Sequence, residues 1–262
     1  MLVLYEHPLS TYAQKLKISL REKGVEFESR LPTGIGTGSA VDEFARVSPR
    51  GEVPALVHDG NAIFDSTVIL EYIEDVWPEP AMLPSTAAER ARVRMIEDIM
   101  DTHVEAIGWG LGELFFFERA TGELRDMIVA NAREQVQSYH GWLESQLGDR
   151  DWFNGDAFGW GDLSVIPYVN GLAGFELAPK EGSKLADWRA RANDRPSVSQ
   201  TEAESRASLT GMSGVGDAIR AGLFKRQYRD HRLEWMIKSG GLQVVLDGLS
   251  AENIRFTDPF EG

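Results

Sequence analysis

Asp65, Ser66 and Thr67 stand at the start of a predicted helix, where their residue types favour the binding of an anion. Apolar residues recur behind them with the 3.6-residue period of one helix face, at Val68, Ile69, Tyr72, Ile73 and Val76. Ser66 is a residue type that caps helix N-termini well, and the first amides of a helix point outward beside a partial positive charge. We therefore predict an anion-binding site at this helix start.

The stretch before this helix predicts a short β-hairpin that begins with a proline. Apolar residues 55–57 and 62–64 flank the turn sequence 58–61, in which Asp59-Gly60 readily adopts the positive φ that a two-residue turn needs. Pro54 precedes the first strand, and an X-Pro bond is where a cis peptide costs least. A cis bond there would leave the backbone of Val53 exposed for binding.

The elements around this hairpin indicate a small α/β domain at residues 1–80. A strand at 2–5 precedes a helix at 12–23, and a weaker strand lies at 27–31. With a short helix near 42–50, the order is strand, helix, strand, helix, hairpin, helix. We therefore predict an α/β thioredoxin-like N-terminal domain, followed by an all-α C-terminal domain at 86–200.

Composition excludes several classes of function. The 262 residues include no cysteine, which excludes disulfides, Cys-ligated zinc and every mechanism through a protein thiol. A net charge of −14 disfavours nucleic acids and anionic membranes as partners. The longest apolar stretch, 106–117, is too short to span a bilayer, and the N-terminus lacks a signal-peptide pattern. We expect a cytoplasmic protein with no metal and no membrane partner.

The X-Pro bond, the hairpin and the Asp-Ser helix start together resemble the glutathione site of the glutathione transferases. In that family the residue before the proline pairs its backbone with the cysteinyl part of glutathione, which implies that role for Val53. The acidic residue and the serine hold the γ-glutamyl end, which implies that role for Asp65 and Ser66. Glutathione would then be the co-substrate.

Two later motifs extend the resemblance to about residue 200. Gly155-Asp156 followed by Asp162 is similar to a helix start in the C-terminal domain of the family, where Asp162 would be a structural cap. The pattern from Leu185 through Trp188 to Arg195-Pro196 is similar to the end of that domain.

Ser10 is our candidate for the catalytic residue, because the resemblance places the group that holds the glutathione sulfur in the loop before the first helix. A hydroxyl donor beside a helix N-terminus lowers the pKa of a thiol, which is ordinarily near 8.5. Such a serine is typical of a bacterial, serine-type branch. Two other hydroxyls stay open as the group that holds the thiolate, Tyr5 at the end of the first strand, where another branch has its tyrosine, and Thr11. In a purely structural interpretation, Thr11 caps the helix together with Gln14 and Ser10 is a loop residue.

Glu52 departs from the pattern of the family, which often has Lys, Gln or Thr at that position. Its charge would lie close to the glycine carboxylate of glutathione, and two like charges in a partly buried site cost on the order of 1 kcal/mol or more. We therefore expect a cation nearby, and Arg50 is the local candidate.

The second-substrate pocket is predicted from aromatic residues of the all-α domain. Trp109 and Phe115 lie in the Gly-rich run 106–117, which we expect to bend at its glycines, and Tyr168 lies on a later helix. These side chains could wall a pocket for a hydrophobic, aromatic electrophile. The alternative is that they are core residues.

Residues 201–262 form an extension that is longer than most of the family carries. We predict helices near 216–229 and 233–249, and a basic cluster that packs on the acidic body of the chain, at Lys225, Arg226, Arg229 and Arg232. Our hypothesis is that the extension closes the substrate pocket and brings one of these cations to Glu52.

The sequence thus predicts a glutathione transferase that activates the thiolate of glutathione for attack on a small electrophile, as in detoxification. The resemblance also implies a homodimer formed through the first helix of the all-α domain. The alternatives are a glutathione-dependent ether-cleaving lyase, isomerase or dehalogenase, and a non-catalytic binding protein on the same fold.

Overall fold

The computed structural model describes residues 1–33, 43–212 and 214–256. Its N-terminal domain contains β1 (Leu2–Tyr5), α1 (Thr11–Glu22), β2 (Glu28–Arg30), α2 (Glu43–Val47), β3 (Ala55–His58), β4 (Asn61–Phe64) and α3 (Ser66–Val76). The four strands form one sheet in the order β2-β1-β3-β4, in which β1 runs parallel to β2 and antiparallel to β3. This is the predicted thioredoxin-like topology.

The sheet buries both of its faces because side chains of β1 alternate between them. Leu2 and Leu4 join the main core with α1 and α3, whereas Val3 and Tyr5 pack with Phe44 of α2 on the other face. The turn between β3 and β4 has positive φ at both of its central residues, as the Asp-Gly sequence predicts.

The second domain is helical. It contains α4 (Ala87–Ile99), a π-helical turn (Met100–Val104), α5 (Glu105–Phe115), α6 (Gly122–Leu147), α7 (Trp160–Ala173), α8 (Lys184–Asn193) and α9 (Pro196–Leu209). One face of α4 and the following turn is buried at Val93, Ile96, Met100 and Val104. Within the described ranges, no helix is long and apolar enough to cross a bilayer.

Asp162 has the structural role that the sequence predicts. Its buried carboxylate accepts hydrogen bonds from the amides of Phe153, Asn154 and Gly159 and from Nε1 of Trp188. These four donors tie the start of α7 to the preceding loop and to α8. Asp162 therefore stabilises the packing of the helical domain.

The C-terminal extension has more and shorter elements than the sequence predicts. After α9 ends at Leu209, it contains a 3₁₀ turn (Thr210–Met212), α10 (Val215–Arg220), β5 (Arg226–Gln227), α11 (Asp230–Lys238), α12 (Leu242–Ser250) and β6 (Ile254–Arg255). The predicted helix 216–229 is wrong beyond Arg220, because Gly222 takes a positive φ shortly after the helix ends. The predicted helix 233–249 is interrupted for the same reason at Gly240.

The glycines of the run 106–117 do not interrupt α5, which is one continuous helix. Gly110 instead faces Trp235 of α11, and a Cβ atom at Gly110 would lie only 1.9 Å from Cζ3 of that indole. Gly110 therefore serves the close approach of the extension to α5, and the predicted bend stays a prediction.

Candidate functional site

A cleft of about 240 Å³ lies where the N-terminal domain, the π-helical turn and the extension meet. The five residues predicted to bind glutathione all line it: Arg50, Glu52, Val53, Asp65 and Ser66. The π-helical turn contributes Asp101 and Thr102, and the extension contributes Arg229, Asp230 and His231. Motifs that are separate in sequence therefore share one cavity with a segment from the far end of the chain.

The start of α3 presents the predicted free donors, although its cap differs from the prediction. Asp65, and not Ser66, is the N-cap, and its carboxylate accepts from the amides of Thr67 and Val68 at 3.0 and 3.4 Å. Asp65 takes a φ of 77°, which is uncommon outside glycine. Ser66 is the first helical residue, and its amide and hydroxyl have no hydrogen-bond partner within the described ranges. An acid and two free donors thus lie side by side.

Val53 offers an unpaired stretch of backbone to the cleft. The Val53–Pro54 peptide is cis, and the strand ladder begins only at Ala55. In the part of the chain that the structure describes, neither the N–H nor the C=O of Val53 has a backbone partner. The Ser48 hydroxyl supports this loop by donating to the carbonyl of Glu52 at 2.9 Å. An extended peptide could therefore pair with Val53 as an added strand does.

Arg50 is not the cation beside Glu52. Its Nη1 lies 3.5 Å from Oδ2 of Asp65, and its guanidinium lies 5.4 Å from the centre of the Phe64 ring. Oε2 of Glu52 lies 3.7 Å from Nη1 of Arg229 in the extension. The local candidate for neutralising Glu52 is therefore wrong, and the contact is made by a residue of the predicted basic cluster.

Ser10 is the N-cap of α1, and its Oγ accepts from the amide of Ala13 at 3.3 Å. Thr11 is the first residue of the helix, so the alternative in which Thr11 is the cap is wrong. The Ser10 hydroxyl has no acceptor among the residues described, and it can therefore donate to a ligand. Ser10 does not itself border the cleft, whereas Tyr12, two residues later, does.

Tyr5 lies on the other face of the sheet. Its hydroxyl donates to Oε1 of Glu43 at 2.9 Å and accepts from Nη1 of Arg30 at 3.3 Å. Its ring packs on Phe44, and it does not border the cleft. Ser10, in contrast to Tyr5, lies beside the N-terminus of α1.

A buried polar network that the sequence does not predict lies behind the cleft. Nζ of Lys15 lies 2.5 Å from Oε1 of Glu97 and 2.5 Å from Oδ2 of Asp101. Tyr168 donates to Oδ1 of Asp101 at 2.7 Å, and Tyr12 donates to the Asp101 carbonyl at 2.6 Å. Burial raises the pKa of Asp101 to about 6, against the lowering effect of Lys15.

Asp101 is not among the site residues that the sequence predicts. The π-helical turn at Met100–Val104 changes the period locally, and this brings Asp101 inward. Lys15, three residues after Tyr12 on the same side of α1, was the available signal for a buried acidic partner.

The three aromatic residues predicted to wall a second-substrate pocket do not meet. Trp109 packs against Tyr228 and Arg232 of the extension, with a ring-centre separation of 4.7 Å to Tyr228. Phe115 borders a separate groove, and Tyr168 is buried beside Asp101. None of the three lines the cleft. The structure thus does not bring these three side chains together, and the extension covers Trp109.

Buried ion pairs fix the extension to α5. Nη2 of Arg232 lies 2.5 Å from Oε1 of Glu105, and Nε2 of His231 lies 3.0 Å from Oε2 of the same residue. Burial acts to raise the pKa of Glu105, but Arg232 and His231 outweigh it and hold this pKa at about 2. Arg226 binds the buried Glu113 at 2.5 Å in the same way. The residues that the extension adds to the cleft are thus firmly placed.

The chain is similar to proteins of one family over most of its length. A family model for the N-terminal domain of glutathione S-transferases matches residues 4–81, and a model for the C-terminal domain matches residues 126–193. Glutathione S-transferase U25 of Arabidopsis thaliana is 29% identical over 205 residues, which are 75% of this chain and 86% of the relative. Glutathione S-transferase U24 of the same plant is 28% identical, over 80% of this chain and 94% of the relative.

Solved structures agree with the sequence comparisons. A glutathione S-transferase from Rhodospirillum rubrum is 28% identical, with a TM-score of 0.67 over 77% of this chain and 91% of that protein. A rice glutathione S-transferase, solved in complex with glutathione, is 26% identical, with a TM-score of 0.66 over 82% and 96% of the two chains. The two family models together span more than half of the 262 residues in the expected order. The chain therefore belongs to the glutathione S-transferase family.

Proposed function

We propose that this glutathione S-transferase binds glutathione in the cleft and activates its thiol for attack on a small electrophile. The observation that carries the proposal is that the unpaired backbone of Val53 and the free donors of Ser66 lie in one cavity. The enzyme class and the co-substrate agree with the relatives, one of which was solved with glutathione bound.

The charges of the cleft complement those of the tripeptide. The γ-glutamyl carboxylate fits the amide and hydroxyl of Ser66 at the positive end of α3. The neighbouring ammonium group fits the carboxylates of Asp65 and Asp101, which line the same cavity. The cysteinyl part then pairs with the backbone of Val53, as a peptide pairs with a strand edge.

Ser10 holds the thiolate in this proposal, so the chain is of the serine type. The support is its position at the positive end of α1 and its hydroxyl, which has no acceptor in the described ranges. A hydrogen bond to a thiolate stabilises the charged form and so lowers the pKa of the thiol. Ser10 donates this hydrogen bond and does not act as a nucleophile.

The second substrate is small in this proposal, and the side chains that line the cleft need not be aromatic. The cavity volume of about 240 Å³ is below the range of roughly 300–1,000 Å³ that is common for ligand pockets. Glutathione would occupy much of it, and Trp109 lies beneath the extension.

We further propose a cytoplasmic homodimer of the bacterial branch. The Rhodospirillum rubrum protein is as similar to this chain as the Arabidopsis relatives are, so the proposal of this branch rests on Ser10. Exposed apolar side chains on α3 and α4 support the dimer, since Val68 is 53% and Met95 is 61% exposed.

Retention on immobilised glutathione tests the binding, and turnover with a model electrophile tests the catalysis. Ser10→Ala should raise the pKa of the bound thiol and lower turnover roughly 10- to 100-fold, while leaving glutathione affinity largely intact. Tyr5→Phe is the matched control and should change little. Absence of retention, with no thermal shift in millimolar glutathione, would favour a non-catalytic protein on this fold. The reverse order of the two variants would move the catalytic role to Tyr5.

A further inference from the structure

We infer that Arg229 of the C-terminal extension binds the glycine carboxylate of glutathione, in place of a residue from the thioredoxin-like domain. This inference rests on the proposed function, because it takes glutathione to be the occupant of the cleft. It assigns the extension a direct role in substrate recognition.

Glu52 places a negative charge in the lining of the cleft. Its side chain is 18% exposed and lines the cleft one residue before Val53, on which the cysteinyl part would pair. The glycine end would therefore come close to this carboxylate, and without a cation the two negative charges would repel each other. Arg229 lies 3.7 Å from Glu52, and Arg232 and Arg255 also interact with it electrostatically. All three of these arginines belong to the extension.

Arg229 has N–H donors that are available for hydrogen bonds with a ligand. A distance of 3.7 Å to Glu52 is too long for a hydrogen bond, and a guanidinium carries five N–H donors. The other recorded contact of its guanidinium is with the ring of Tyr12, whose centre lies 6.0 Å away. Within the described ranges, Arg229 therefore makes no hydrogen bond through its side chain, and it lines the cleft.

The neighbouring cations are committed elsewhere. Arg232 binds Glu105 at 2.5 Å, and Arg226 binds Glu113 at 2.5 Å. Arg50 lies beside Asp65, at the end of the cleft that would hold the γ-glutamyl group. Arg255 does not line the cleft, and its Nη2 donates to Oε1 of Gln227 at 3.0 Å. Among the described residues that line the cleft, Arg229 is thus the arginine beside Glu52 that is free to form a paired hydrogen bond with a carboxylate.

The backbone of Arg229 is held in place before any ligand binds. Arg229 is the residue immediately before α11, which is fixed to α5 by the Arg232 and His231 contacts with Glu105. A cation that is already positioned loses less conformational freedom on binding. Glu52 then orients Arg229. This role would explain why the chain has an acid at this position, although a glutamate by itself would repel the glycine carboxylate of the ligand.

The test compares two ligands and three proteins by calorimetric titration. The ligands are glutathione and glutathione amide, in which the glycine carboxylate is replaced by an uncharged carboxamide. Wild-type protein should bind glutathione about tenfold more tightly than the amide. Arg229→Gln should lose this preference while keeping its affinity for the amide. The control Arg220→Gln changes another arginine of the extension, paired with Glu118 outside the cleft, and should behave like wild type.

Two further measurements separate charge from folding. Arg229→Lys keeps the charge and should retain part of the preference, and melting temperatures should confirm that all variants are folded. Adding Glu52→Gln to Arg229→Gln should raise glutathione affinity by removing the remaining repulsion. An unchanged preference in Arg229→Gln would overturn the inference and leave the proposed function standing. Failure of wild-type protein to bind either ligand would overturn both.

Discussion

Replacing Gly110 by alanine should detach the extension from α5. The new Cβ atom would lie 1.9 Å from Cζ3 and 2.6 Å from Cε3 and Cη2 of Trp235, so the indole would have to move by more than 1 Å. Trp235 is only 6% exposed, and its Nε1 donates to Oε1 of Gln135 at 2.9 Å. Overpacking costs about 1–3 kcal/mol and the lost hydrogen bond about 1 kcal/mol, against a gain of about 0.5–1 kcal/mol in helix propensity.

The expected net loss is therefore about 1–3 kcal/mol in the free energy of unfolding. Gly108→Ala is the matched control, because it lies two residues earlier in α5 and nothing lies within 4 Å of its Cβ position. This control should be neutral or stabilising by about 0.5–1 kcal/mol.

Urea unfolding followed by tryptophan fluorescence measures both variants, and titration with glutathione reports on the cleft. Gly110→Ala should also bind glutathione more weakly, since a displaced α11 carries Arg229 away from Glu52. Equal stabilities and equal affinities for the two alanine variants would refute the packing of Trp235 against α5.

Two other perturbations address the ion pairs and the subunit contact. The pKa of Glu105 is held at about 2, against an ordinary value of 4.5, which corresponds to about 3 kcal/mol of stability that is present above pH 4.5 and is lost as the pH falls towards 2. Glu105→Gln should be less stable than wild type at pH 7, because it leaves Arg232 buried without its partner. In urea titrations at several pH values, this variant should also lack the part of the acid dependence that Glu105 contributes. An acid profile parallel to that of wild type would contradict this prediction. Met95→Lys, on the exposed face of α4, should halve the mass measured by sedimentation, whereas Met127→Lys on α6 should not; a wild-type monomer would exclude the proposed dimer.

Local sequence signals were sufficient for the elements of the N-terminal domain that line the cleft. Asp59-Gly60 predicts the turn, Pro54 the bend before β3, and the apolar period behind Asp65 the helix α3, because each depends on residues close together in the chain. The cation beside Glu52 is Arg229 and not Arg50, and the cap is Asp65 and not Ser66. Both residue types cap helices well, and sequence gives no means of ranking adjacent candidates.

Most of the long-range packing could not be predicted from the sequence, although the approach of the basic cluster to Glu52 was predicted. Asp101 comes inward through a π-helical turn that no residue pattern announced, and its partner Lys15 comes from the other domain. Trp109 carries the aromatic character expected of a pocket wall, yet Tyr228 lies on it. Residue type alone does not distinguish a wall that faces a ligand from one that faces another part of the protein.

The sequence by itself determined the thioredoxin-like order of elements, the helical second domain, and the positions of Val53 and Ser66, since these follow from local propensity and apolar periodicity. Only the tertiary structure decided that the extension lies against α5 and that Arg229, 177 residues after Glu52, is its neighbour. The physical reason is that an ion pair depends on distance in space, and Arg229 lies beside Glu52 because Trp235 packs beside Gly110 and Arg232 pairs with Glu105.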